Sequence, residues 1–124
     1  MEQDYRLAEG EYRFACLVWA NEPLGSGQLV ALANEALGWK KSTTYTVLKK
    51  LCDRGIFRNQ DGLVTSVLSQ KEFQSRQSRR FVEDTFSGSL PAFIAAFADG
   101  GNLTEHDISE IRKMIDSYEG GRRK

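Results

Sequence analysis

The chain has 124 residues, 17 basic and 17 acidic, so it carries no net charge and has the size of one domain, or of one small domain with an appendage. No run approaches the roughly 20 apolar residues of a membrane span, and the acidic start Met1-Glu2-Gln3-Asp4 is unlike a signal peptide, which predicts a cytoplasmic protein without membrane insertion. Cys16 and Cys52 lie in apolar helical patterns without metal or redox spacing and are expected as buried free thiols.

A first helix is expected over 9–20, apolar around much of its circumference through Tyr12, Phe14, Ala15, Leu17, Val18 and Trp19, and stopped by Asn21-Glu22-Pro23. Ser26 is a candidate cap for a second helix, in which Leu29, Leu32, Ala33, Ala36 and Leu37 repeat at helical spacing before Gly38. A third helix follows within a few residues, over 43–54, with Ser42 as its expected N-cap and Gly55 beyond its end in the left-handed conformation. The second and third helices thus form a helix-turn-helix pair.

Projected at about 100° per residue, the third helix separates into two sides. Thr44, Val47, Leu48 and Leu51 form a core stripe, with Thr43 near its edge. Ser42, Tyr45, Thr46, Lys49 and Asp53 face outward, with Lys50 on the border. Short hydrogen-bonding groups beside lysines suit base edges and phosphates in a DNA major groove. The same pattern also describes an ordinary solvated face. Between residues 36 and 60, six basic residues stand against Asp53 alone, a local charge of +5 in a neutral chain. That is the electrostatic footprint of an element touching phosphate.

After Gly55 the period changes. Residues 56–59 and 63–68 read as two short strands around Asp61-Gly62, a wing directly after the third helix, with Arg58 near its tip as a phosphate candidate. Ser69-Gln70-Lys71-Glu72 is a capping box with Leu68 and Phe73 as its hydrophobic staple, opening a fourth helix that reaches Phe86 with Arg76, Arg79 and Arg80 on its wet side. Ser89 and Pro91 open a fifth helix that ends at Asp99-Gly100-Gly101, and Thr104 with Asp107 opens a sixth. Phe93 and Phe97, with the seam Ile108, Ile111, Ile115 and Tyr118, need more cover than three short helices supply, so this half is expected to dimerise, the alternative being that it folds back onto the first domain of the same chain. The expected organisation is mostly α: a winged helix-turn-helix over 1–68, a three-helix dimerisation arm over 69–119, and a basic disordered tail over 120–124.

This order of elements resembles the penicillinase-repressor family of winged-helix regulators. The residues carrying the resemblance are 11–19, 42–51 with Arg54-Gly55-Ile56, 86–90, and Phe97-Ala98 leading to Leu103-Thr104 and 108–115. It implies a homodimeric repressor on a palindromic double-stranded DNA operator, with Ser42, Thr43, Tyr45, Thr46 and Lys49 facing the DNA, and Lys50 and Arg58 nearer the backbone. Two release devices of the family are altered. The copper-responsive cysteine cluster is replaced by Gly-Gly-Arg-Arg-Lys. The Asn-Phe bond cut by a membrane-linked sensor protease corresponds to Ala96-Phe97, whose Phe also serves as a core aromatic.

Nothing in the chain points to an enzyme, a metal or a cofactor. His106, the one histidine, lies in the first turn of the sixth helix, where it is expected to be exposed, and the Ser, Thr and carboxylates nearest to it read as caps. The competing reading is a winged-helix module that binds protein. It calls for apolar groups on the outer face of the third helix, where Tyr45 alone fits.

Overall fold

A computed structural model describes residues 6–122, with side chains through Tyr118. The element order is α1 (Glu9–Asn21), β1 (Leu24–Gly25), α2 (Ser26–Leu37), α3 (Lys41–Asp53), β2 (Phe57–Gln60), β3 (Leu63–Ser66), α4 (Gln70–Phe86), α5 (Leu90–Asp99) and α6 (Glu105–Arg122). The architecture is a winged helix followed by further helices. Two compact units divide the chain between Arg80 and Phe81.

The core of the first unit is built from one side of each element. Phe14 and Val18 of α1, Leu29 and Ala33 of α2, and Leu48 and Leu51 of α3 are buried with Ile56, Phe57 and Val64. Thr44 is the one buried polar residue among those described, and its hydroxyl donates to the Lys40 carbonyl at 3.1 Å. This satisfies the polar group that burial would otherwise penalise. Trp39, in the turn between α2 and α3, stacks on Phe14 with centroids 5.3 Å apart, so the turn itself is packed.

Both expected serine caps are corrected. Ser42 lies inside α3, because the Lys40 carbonyl already accepts the Thr44 N–H at 3.0 Å and starts the helix at Lys41. Ser26 is the first residue of α2 rather than its cap. Gly25 precedes the helix, its N–H held by Gln28 Oε1 at 2.8 Å, while the Ser26 N–H donates to the Gly62 carbonyl at 2.7 Å. The end of α3 follows expectation: the N–H groups of Gly55 and Ile56 donate to the carbonyls of Cys52 and Leu51, with Gly55 at φ 82°. That is a Schellman ending, and it turns the chain directly into the wing.

The sheet has three strands in the order β1-β3-β2, all antiparallel, where two were expected. Two-residue β1 pairs Leu24 with Val64 and Gly25 with Leu63, too short a strand to show a period. In the wing Gln60 pairs with Leu63 across Asp61 and Gly62, both at positive φ (53° and 84°), as a type I′ hairpin turn requires. The sheet is tied to α1 by the Glu22 carboxylate, which accepts the Ser66 N–H at 2.7 Å and the Ser66 hydroxyl at 2.8 Å. Trp19 Nε1 adds a bond to the Leu68 carbonyl at 3.0 Å.

The capping box of α4 forms in both directions: Glu72 N–H to Ser69 Oγ at 3.1 Å, and Ser69 N–H to Glu72 Oε1 at 3.0 Å. Phe73 is buried, and Arg76 and Arg80, three and seven residues on, share its face and are half-buried; Arg79 alone of the three arginines is exposed. Cys16 and Cys52 are free thiols, half-buried rather than fully enclosed.

In the second unit Ser89 caps α5 by accepting the Ala92 N–H at 3.1 Å. Thr104 and Asp107 cap α6 reciprocally, at 3.0 and 3.2 Å. Phe81, Phe86 and Phe93 meet edge to face with centroids 5.6 to 6.0 Å apart, and Phe97 lies 6.3 Å from Phe93. No side chain among residues 81–118 is fully buried. The α6 backbone extends to Arg122; Arg123 and Lys124 of the expected tail lie outside the described residues, as do all residues before Arg6. No helix among the described residues is long and apolar enough to cross a membrane.

Candidate nucleic-acid interface

Burying Thr44, Leu48 and Leu51 fixes the rotation of α3 about its axis. Ser42, Thr43, Tyr45, Thr46 and Lys49 are therefore all exposed together. Thr43, which the helical projection puts at the edge of the core stripe, is on the outer side. Tyr45 is only 36% exposed, since its hydroxyl donates to Ser26 Oγ at 3.2 Å. Apart from that ring, no large apolar side chain is exposed on this helix.

The basic residues are held in different ways. Lys49 Nζ lies 3.0 Å from Asp53 Oδ2, one turn along the same helix, with both side chains mostly exposed. Such a pair contributes little and exchanges readily. Lys50 Nζ is 2.6 Å from Glu11 Oε2 of α1, and Arg54 Nη1 is 3.9 Å from Glu11 Oε1. Glu11 also accepts the Ala8 N–H at 2.9 Å. The Lys50 hydrogen bond, then that from Ala8, holds the Glu11 carboxyl below its ordinary range despite partial burial. Glu11 therefore offsets part of the +5 carried by residues 36–60. Among the described residues Lys40, Lys41 and Arg58 have no ion pair.

Arg58 is exposed on β2, paired with Thr65 and set back from the Asp61-Gly62 tip. The turn is braced by Asn59 Oδ1, which accepts the Gly62 N–H at 3.1 Å. Tyr45, Leu48, Lys49, Cys52 and Asn59 line an open depression of about 400 Å³ between α3 and the wing. Burial, and secondarily Asp53, pushes the Cys52 thiol up, which keeps it protonated.

A helix-turn-helix with a wing, one polar face and lysines at its margin is the architecture of a DNA-reading module. A family model described as penicillinase repressor matches residues 7–117. The chain belongs to the penicillinase repressor family. It is also similar to the penicillinase repressor of Bacillus licheniformis, 16% identical over 122 residues that cover 95% of each chain. The penicillinase repressor family consists of DNA-binding transcriptional repressors.

The remaining expected positions lie in the second unit. Phe93 and Ile111 are half-buried, whereas Phe97, Ile108, Ile115 and Tyr118 are exposed. Met114, absent from the expected seam, is 67% exposed beside it. Ala96 and Phe97 are both exposed within α5. Two residues that brace this face from other helices carry no local signal. Ser26 meets Tyr45 across 19 residues of chain, and Glu11 meets Lys50 across 39.

Proposed function

We propose that this penicillinase repressor family member acts as a homodimer on a palindromic operator. Ser42, Thr43, Tyr45 and Thr46 read base edges in the major groove, and Lys49, Lys50 and Arg58 take phosphates. The observation carrying this reading is the continuous polar face of α3, presented by a helix whose opposite side is locked into the core. Hydroxyls pair with base edges and ammonium groups with phosphates, while a protein-binding surface would expose aromatic or aliphatic residues here, where Tyr45 alone fits. In this division of labour, residues 1–68 bind DNA and 69–119 dimerise. The apolar side chains left exposed in the second unit support that assignment.

Selection of bound fragments from the source genome tests the reading. The expected product is an inverted repeat, bound with a salt slope on the order of −5 for about six phosphate contacts per dimer. Enrichment of no common sequence, or a salt-independent affinity, overturns it.

A further inference from the structure

We infer that Glu11 sets the sequence-independent part of DNA affinity, by competing with phosphate for the Lys50 ammonium. The inference rests on the DNA-reading assignment of α3 and adds to it a residue on a different helix, outside the contact surface.

The two lysine pairs on α3 differ in kind. Asp53 holds Lys49 on the same helix with both partners exposed, so a phosphate displaces it at little loss. Glu11 belongs to α1, and its side chain is only 15% exposed. The Ala8 N–H anchors one oxygen at 2.9 Å, and Arg54 flanks that same oxygen at 3.9 Å. The carboxylate is therefore a fixed counter-charge. Lys50 is the mobile partner: its side chain is 56% exposed, and the ammonium sits on the other carboxylate oxygen at 2.6 Å.

Position on the helix makes the competition possible. Lys50 follows Thr46 by four residues and Thr43 by seven, so it borders the proposed reading face. Its flexible stem reaches either Glu11 on one side or a backbone phosphate on the other. A lysine on phosphate adds affinity to every duplex alike. Each DNA complex that recruits Lys50 must therefore give up the Glu11 pair, and the carboxylate restrains binding without touching DNA.

The test uses the full chain as wild type, Glu11→Gln, Lys50→Gln and the double variant, titrated onto a labelled random-sequence duplex between about 50 and about 200 mM salt, with thermal melts of each protein. Gln keeps the acceptor for the Ala8 N–H. Glu11→Gln is expected to bind several-fold tighter at the low-salt end, with a slope steeper by about 0.9 per bound chain, so that its advantage shrinks about threefold across the range. Adding Lys50→Gln is expected to abolish the gain. Should Glu11→Gln fail to melt cooperatively, Glu11→Asp decides, since it withdraws the carboxylate from Lys50 and gives a smaller gain of the same sign. Unchanged or weakened binding by a folded variant overturns the role of Glu11, as does a gain that survives in the double variant. Failure of the wild type itself to bind any duplex overturns instead the DNA reading of α3.

Discussion

Tyr45 of α3 donates its hydroxyl to Ser26 Oγ at 3.2 Å, and the same serine gives its backbone N–H to Gly62 at the wing turn at 2.7 Å. One residue thus links α3, the start of α2 and the wing. These are the elements that must hold a common spacing if a helix and a wing engage one duplex. Tyr45→Phe keeps the ring and removes the bond. It is expected to cost about 0.5 kcal/mol of stability, the low end for a hydrogen bond at a partly exposed site. Operator affinity should fall about fivefold, because the linkage positions contacts besides its own. Equal urea midpoints and equal affinities for the two proteins would show that the bond carries no positional load.

Lys49 and Thr46 separate phosphate attraction from base reading. Lys49→Ala is expected to weaken binding to all duplexes by similar factors and to reduce the salt slope by about 0.9 per chain, while Thr46→Ala should change which base is preferred at one operator position, by about 1 kcal/mol or more. Binding of both variants to a panel of singly substituted operators checks this. A uniform loss with Thr46→Ala would remove it from the base readers.

Features specified by neighbouring residues were legible in the sequence. The Ser69/Glu72 and Thr104/Asp107 boxes, the Ser89 cap and the Asp61-Gly62 turn each need only residues within a few positions, and each forms as expected. The outer face of α3 was legible too, since a helical projection needs only the spacing of Thr44, Leu48 and Leu51. Contacts set by the fold were not. Glu22 reads as a helix terminator, yet both its oxygens hold Ser66 from 44 residues away. The N-cap of α2 was misassigned to Ser26 for the same reason: Gly25 takes that position while pairing with Leu63 in the sheet, and that pairing leaves no trace around residue 26.

Acid should expose the Glu11 contact in the absence of DNA. Its carboxyl is held below the ordinary value of 4.5 in the folded chain, first by Lys50 and then by Ala8. A carboxyl depressed in this way adds stability above its unfolded-state pKa, and that contribution is lost as pH falls through the lower folded value. Glu72, held down chiefly by the Ser69 backbone N–H and next by the Ser69 side chain, acts in the same direction. Glu11→Gln is therefore expected to be less stable than wild type near neutrality, and to lose less on acidification from about pH 6 to about pH 3. Urea midpoints at the two pH values measure this. Parallel losses in both proteins would mean that Glu11 is not linked to folding through its proton.

The second unit supplies the remaining prediction. Ile115 is 54% exposed and Met114 67%, on a helix that also exposes Ile108 and Tyr118, and Phe97 is open on α5. Large apolar groups left in water at this density mark a surface that associates. A second copy of the chain is the partner that a two-fold operator requires, because protein symmetry and half-site symmetry must match. Placing lysine at Ile111 and Ile115 sets like charges against one another across such an interface without altering the winged helix. Sedimentation is expected to show a monomer that retains its helical signal, and operator affinity should fall by about 10²-fold or more, since the two half-sites lose their tether. A dimer that persists in this variant would move the interface off the α6 seam, toward Phe97 and the exposed face of α5.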